Sequence, residues 1–380
     1  MSAGTEQRCT ELDGLRGLAA LSVFFFHVSS LFPTSTTTAE FDRSPLRFLW
    51  DGGAAVDLFF VLSGFVLAMP FLDMAGRTLD YRSFMMRRLF RILPAYWVAL
   101  LLALLLRYGI YQPDGLAGLS KWVREIWDTP VRHIFDHVLL VGPWSDSLLI
   151  YPVRFSDETT NSLDPVIWTL VVELRISLVY PLIILLLRRT QNGYAGACLL
   201  AFAIALALLA PPLWALPQFV LGGLLARFRD EIAREVARLG KVKALSLIIL
   251  AIYLYGVRYS FGLQPGWFQM HALASCGAAL LIALVIGGRG RGLLRSRLVQ
   301  FLGATSYSFY LFHLPLLIAL VSWIRLSGGS IWLAVAATAV ASLILAYASY
   351  RWIELPAQSL GRRLSLRWRP PIIAPRVRDA

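Results

Sequence analysis

The sequence predicts an all-α integral membrane protein of about ten transmembrane helices, with both the N- and the C-terminus in the cytoplasm. Hydrophobic residues make up 57% of the 380 residues and charged residues only 16%, and the mean hydropathy is +0.63. Soluble domains average about a quarter charged residues, so this composition indicates a protein of the lipid bilayer. Apolar segments also recur from one end of the chain to the other, with no polar domain between them.

Ten apolar segments of roughly spanning length follow one another along the chain. They cover residues 15–32, 54–71, 92–106, 166–187, 194–210, 213–228, 244–261, 268–286, 302–324 and 331–350. A span needs about 20 residues, so the third and sixth segments are short. The pair Pro211-Pro212 separates the fifth segment from the sixth. We predict one membrane domain over residues 1–356 and a basic cytoplasmic tail over residues 357–380.

The distribution of positive charge predicts the orientation. Of the 36 Lys and Arg residues, 26 fall in segments on one side, nine on the other, and Arg175 lies within a span. Cytoplasmic loops carry the excess of Lys and Arg, so both termini should be inside and the 107–165 loop outside, as a lid over a cavity. Because the basic residues cluster between spans and no nucleic-acid motif accompanies them, the net charge of +13 does not indicate nucleic-acid binding.

The first span places two ionisable residues on one helix face. Arg16 and His27 are 11 residues apart, which is about three turns, so they share a side and lie roughly 16 Å apart along the axis. Ionisable groups inside a membrane cost at least a few kcal/mol and are functional candidates by default. The alternative is an interfacial arginine paired with Asp13 and a histidine that is hydrogen-bonded within the packing.

Three other spans direct polar side chains at what we expect to be the same depth. They are Asp57 and Ser63 in the second span, Glu173 in the fourth, and Tyr310 and His313 in the ninth. This coincidence predicts an internal cavity. For Glu173, a structural ion pair with Arg175 or with another helix remains open. Cys198 and Cys276 also fall in apolar segments, where we expect small core residues.

Two arginines at the cytoplasmic edge of the third span suit a phosphate group. Arg88 and Arg91 are three residues apart and share a helix face, so they could hold a phosphate together. The alternative is an anchor at the positive inner surface. A zinc site at His133 and His137 is not expected, because a zincin has Glu directly after the first His and this chain has Ile134. No metal site is predicted.

Six motifs resemble those of the acyltransferase type 3 family, in the family's order, between residues 12 and 356. They read LDGLRGLAALSVFFFH, VDLFFVLSGFVLA, RRLFR, WTLVVELRISLVYP, SYSFYLFH and YRWIELP. Two positions depart from the family pattern. Thr169 stands where the family often has Ser, and Arg175 stands where an acidic or polar residue is commoner.

The resemblance implies a membrane O-acyltransferase of the cell envelope. Its donor would be cytoplasmic acyl-CoA, most simply acetyl-CoA, which acts as a substrate rather than a permanently bound cofactor. Its acceptor would be a hydroxyl of a cell-surface glycan or of a small natural product. His27 is the expected general base, and either Glu173 or Asp57 would orient it.

The remaining expected site residues serve the donor. The arginines would bind its phosphates, and a hydroxyl of Ser63 or Tyr310 would steady the developing oxyanion. The predicted donor-binding set is Arg16, Arg88, Arg91, Ser63, Tyr310 and His313. The alternative function is a multi-span transporter or flippase of an acylated or glycan-bearing lipid.

Overall fold

A computed structural model describes residues 10–33, 45–72, 79–127, 164–257 and 266–366, and within these ranges the chain forms helices and no strands. The longer helices are α1 (Thr10–Ser29), α2 (Gly52–Leu72), α3 (Tyr81–Gly109), α5 (Trp168–Arg189), α6 (Gly193–Leu209), α10 (Trp267–Ile286), α12 (Arg297–Leu326) and α13 (Ile331–Ser349). The shorter ones are α4 (Lys121–Glu125), α7 (Leu216–Arg227), α8 (Arg229–Arg238), α9 (Lys241–Tyr255), α11 (Arg291–Leu294) and α14 (Leu355–Leu366).

Within the described residues, each of the ten predicted segments overlaps a helix. Among the described residues, seven helices are long and apolar enough to cross a membrane. The helices α6, α7 and α9 are shorter, at 17, 12 and 15 residues. The all-helical, multi-pass membrane class is therefore confirmed, while ten crossings and cytoplasmic termini remain predictions.

The helix ends follow local capping signals. The carboxylate of Asp80 accepts hydrogen bonds from the N–H groups of Arg82 and Ser83, which starts α3 well before the apolar segment. The prediction of a short third span is therefore wrong, because the arginine-containing segment belongs to the same 29-residue helix. The prolines after α6 end that helix as predicted, in a 3₁₀ turn over Pro211–Leu213.

Small residues allow two pairs of helices to pack closely. At the crossing of α1 and α12, a Cβ added to Gly17 would lie 2.5 Å from the backbone nitrogen of Gly303. At the crossing of α2 and α7, a Cβ on Gly222 would overlap the carbonyl oxygen of Val61. Glycine at such contacts lets the backbones approach, as is common between membrane helices. These contacts hold α1 against α12 and α2 against α7.

Cys198 and Cys276 lie exposed on the helix surface, so the prediction that they are core residues is wrong. A side chain that faces lipid is as apolar as one that faces another helix. Hydropathy alone therefore could not distinguish the two environments.

The described part of the 107–165 loop covers one end of α1 and α12. Ser120 donates to the carbonyl oxygens of Leu31 and Ser30, through its N–H and its hydroxyl respectively. Arg325, near the end of α12, donates to the carbonyl oxygen of Gly115. This segment holds the short helix α4 over the ends of both helices, which fits the predicted lid.

The predicted orientation can be tested by labelling single cysteines in a chain whose three native cysteines are replaced by alanine. We expect a cysteine within 112–121, for example Ala117→Cys, to react with a membrane-impermeant maleimide in intact cells. A cysteine within 229–243, for example Glu235→Cys, should react only after the membrane is opened. Both positions are exposed, so access to the reagent depends on the side of the membrane. The reverse pattern would invert the topology.

Candidate active site

A buried ion pair joins α3 to α5 inside the helical body. The guanidinium of Arg88 lies 2.6 Å from a carboxylate oxygen of Glu173, and the same oxygen accepts a hydrogen bond of 3.0 Å from the Ser63 hydroxyl of α2. The Nε of Arg88 also donates to the hydroxyl of Ser177. Three predicted site residues are thus brought together, and Glu173 has the inter-helix ion pair that the sequence left open.

A polar stripe on α5 extends from this pair. Thr169, Glu173 and Ser177 are spaced by four residues and so face one side of the helix. The hydroxyl of Thr169 lies 3.0 Å from that of Tyr310 on α12. Thr169 departs from the family's usual serine but keeps the hydroxyl that makes this contact.

His27 and His313 meet one helical turn beyond Tyr310. Their ring centroids are 5.2 Å apart, and both side chains are buried, at 8% and 0% exposure. Trp122 of α4 stacks on the His27 ring, with centroids 5.4 Å apart and an interplanar angle of 12°. The predicted lid therefore contacts the predicted base directly.

The expectation that these polar groups share one depth is wrong. Glu173 lies one turn from Thr169, which contacts Tyr310, and His313 lies one further turn away, so the steps add to roughly 10 Å. The helix α1 runs from Thr10 to Ser29. His27 is consequently close to the helix end, and the site is a column of polar groups rather than a layer.

Arg91 lies at the opposite end of the column. Arg91 lies 3.8 Å from the buried carboxylate of Glu354 and over the ring of Tyr307, and 35% of its side-chain surface is exposed. Glu354 closes a π-helical segment, Tyr350–Glu354, and accepts a hydrogen bond from Ser308. Arg16 pairs with Asp13 at 3.0 Å, as the alternative interpretation described.

Asp57 faces a different partner from the one predicted. Both of its carboxylate oxygens lie 2.9 Å from Nδ1 of His271 on α10, and both side chains are buried. The ring of His271 also packs against Trp214. Neither Asp57 nor Glu173 forms a hydrogen bond with His27 in the part of the chain that the structure describes. Their assignment as orienting groups for His27 remains a prediction.

Three neighbours of the site were missed by sequence reasoning. Ser177 could have been found from its four-residue spacing after Glu173. His271 could have been found by the rule for intramembrane ionisable groups, applied to the eighth predicted span. Trp122 had no sequence signal, because only the folded loop brings it to α1.

The pair His133 and His137 lies outside the described residues. Within the described ranges, no group of three or more His, Cys, Asp or Glu side chains is arranged to hold a metal ion.

Together, the multi-pass helical fold and the motifs along its polar column define a membrane acyltransferase domain. The chain belongs to the acyltransferase type 3 family, because the family's model, described as "Acyltransferase domain", matches residues 10–351. This membership favours acyl transfer over the transporter alternative. No solved structure matches the chain with significance.

Curated relatives carry names from the same chemistry. YrhL of Bacillus subtilis (strain 168), named as a candidate peptidoglycan O-acetyltransferase, is 24% identical over 93% of this chain and 55% of its own length. The O-acetyltransferase OatA of Staphylococcus aureus (strain NCTC 8325 / PS 47) is 24% identical over 92% of this chain and 57% of its own. The acyltransferase MdmB of Streptomyces mycarofaciens is 29% identical over 97% and 95%. The chain therefore spans little more than half of YrhL and OatA, and nearly all of MdmB.

The ion pair predicts a strong coupling between Arg88 and Glu173. Arg88→Ala leaves a carboxylate buried without its counter-charge, which should cost about 3–5 kcal/mol. The double variant Arg88→Ala, Glu173→Ala should lose far less unfolding free energy than the two single variants lose in sum. Thermal unfolding in detergent would measure the four proteins of this cycle.

The exposed pair Arg238 and Glu235 on α8 is the matched control. Its coupling should not exceed about 0.5 kcal/mol, because water screens both charges. Additive effects at Arg88 and Glu173 would contradict the proposed tie between α3 and α5.

Proposed function

We propose that this protein transfers an acetyl or other short acyl group from cytoplasmic acyl-CoA to a hydroxyl presented from the outer face of the membrane. The observation that carries the proposal is the polar column itself. It begins at partly exposed arginines, passes the Arg88–Glu173 pair and Tyr310, and ends at a buried histidine whose Nδ1 has no hydrogen-bond partner among the described residues. Such a column suits a reaction whose two substrates come from opposite faces.

The donor end is best served by Arg91. The charge of Arg88 is already compensated by Glu173 at 2.6 Å, whereas Arg91 lies 3.8 Å from Glu354 and remains partly exposed. Phosphate groups of coenzyme A are strong acceptors for guanidinium N–H groups. We therefore assign the direct phosphate contact to Arg91, with Arg16 as a neighbour, and the shaping of the cavity to Arg88 and Ser63.

The acceptor end is served by His27. An imidazole titrates near neutrality when unperturbed and can take the proton of a hydroxyl as it attacks a thioester carbonyl. Trp122 covers the ring on the loop side and would exclude bulk water from the reacting atoms. The names of the relatives that act in O-acetylation support a hydroxyl acceptor, either on a cell-surface glycan or on a small natural product.

A split between kcat and KM tests this assignment of roles. His27→Ala should lower kcat by roughly 100-fold to 10,000-fold and leave the KM for acetyl-CoA nearly unchanged, because only the base is lost. Arg91→Ala should raise that KM by roughly 10-fold to 100-fold and leave kcat nearly unchanged, because a charged hydrogen bond is lost. Initial rates of thiol release from acetyl-CoA by purified protein, with peptidoglycan fragments as acceptor, would measure both.

Arg238→Ala is the control for the loss of one positive charge, because that side chain is exposed on α8, away from the column. It should behave as wild type. Full turnover in His27→Ala would remove His27 from the chemistry. An unchanged KM in Arg91→Ala would leave Arg91 as an anchor at the membrane surface.

A further inference from the structure

Two buried ring nitrogens at the outer end of the column lack partners among the described residues. They are Nδ1 of His27 and Nε2 of His313. Leaving a buried polar atom unpaired is costly, and such atoms in a folded protein call for an explanation. Here the two atoms belong to imidazoles whose centroids are 5.2 Å apart. The two nitrogens are not hydrogen-bonded to each other in the structure. Rings joined by an N–H···N hydrogen bond of about 3 Å have centroids roughly 5 Å apart, so the observed ring separation suits such a bond.

The proton on His313 is fixed by its own helix. Nδ1 of His313 lies 3.2 Å from the carbonyl oxygen of Phe309, one turn earlier on α12. A carbonyl oxygen can only accept, so Nδ1 of His313 carries the hydrogen. In the neutral ring, Nε2 then has a lone pair and can only accept. Nδ1–H of His27 can be the donor to this atom.

We propose that His313 is the positioning residue for His27, accepting a hydrogen bond from Nδ1–H of His27 and thereby leaving Nε2 of His27 as the basic atom. The inference rests on the proposed role of His27 as base. In this arrangement a neutral imidazole, held by the Phe309 carbonyl, does what a carboxylate does in a Ser-His-Asp triad. Neither Glu173 nor Asp57 is then needed at His27.

The resulting proton transfers balance. Nε2 of His27 takes the proton of the acceptor hydroxyl while the hydroxyl oxygen bonds to the acyl carbonyl carbon of the donor. The tetrahedral intermediate expels the thiolate as the carbon–sulfur bond breaks, and the His27 imidazolium returns the proton to that sulfur. The products are an ester and a free thiol, and the histidine pair ends in its starting state.

Titratable and charged groups also lie on the elements around the pair. They are Tyr310 on α12, Tyr96 on α3, Asp164 before α5, Arg47 across the Phe26 ring, Lys121, Arg124 and Glu125 on α4, and Asp57 with His271 beyond α2. None of these groups is altered by a substitution at position 313. A change in the pH profile of such a variant therefore reports on the contact between the two histidines.

Two variants with opposite hydrogen-bonding capacity test the inference. His313→Gln keeps an acceptor oxygen near the place of Nε2 and should retain kcat within about tenfold. His313→Leu offers no acceptor, so His27 can hold its proton on the wrong nitrogen, and kcat should fall on the order of 100-fold or more. The KM for acetyl-CoA should stay near the wild-type value in both.

The pH profile gives a readout that a merely structural role would not move. Turnover requires neutral His27, so the rate falls on the acid side as His27 gains a proton. The His313 ring lies against the His27 ring, so its replacement in His313→Leu should displace this acid limb along the pH axis. His271→Gln removes another buried histidine of the described residues, one that contacts Asp57 and not His27, and should leave the midpoint of the limb at the wild-type pH, whatever its rate.

Equal activity of the Leu and Gln variants, with the acid limb unmoved, would overturn the inference, as would the same shift in His271→Gln. If His313→Leu fails to fold, it loses its monodisperse peak in size-exclusion chromatography. The turnover of His313→Gln then decides alone, since retained turnover supports the inference and lost turnover overturns it. If the wild-type protein releases no thiol from acetyl-CoA, the proposed donor is wrong. The same variants are then compared by their rates of p-nitrophenyl acetate hydrolysis, a reaction that would need the histidines but no coenzyme A site.

Discussion

The ion pair between Arg88 and Glu173 is the interaction on which the arrangement of the interior depends. A charged group inside a bilayer costs about 2.5 kcal/mol or more, so each charge requires the other. The pair ties α3 to α5, and the hydroxyl of Ser63 adds α2 to the same carboxylate. With Glu173 fixed, the i, i+4 spacing sets where Thr169 points, and its contact with Tyr310 sets the register of α12 against α5. His313 then follows one turn later and meets His27.

The column separates charged from neutral polar groups. One end contains Arg88, Arg91, Glu173 and Glu354, while the other contains hydroxyls and two imidazoles packed among aromatic rings. A phosphate-bearing donor needs fixed counter-charges, whereas an imidazole must be uncharged before it can accept a proton. In the described residues the two environments lie at opposite ends of the column, and Trp122 covers the end that holds the histidines.

Much of the helical framework could be predicted, because a bilayer demands apolar segments of a fixed length and each predicted segment falls on a helix. The motif residues could also be named from their order along the chain. Their partners could not, because pairs such as Asp57 and His271 or Ser63 and Glu173 are joined across 214 and 110 residues. Such pairings depend on which faces of the helices meet, and a nearly uniform apolar pattern does not encode this. For the same reason the exposure of Cys198 was mispredicted.

The central claim is that one column carries a donor from the arginines to the histidine pair. The most direct test is a structure of the protein, by electron cryomicroscopy, with a stable thioether analogue of acetyl-CoA. We expect the phosphates beside Arg91 and the acyl carbonyl between Tyr310 and His27, within about 4 Å of Nε2 of His27. Phosphates bound at the outer end near Trp122, or an acyl group that ends beside Asp57 and His271, would contradict it.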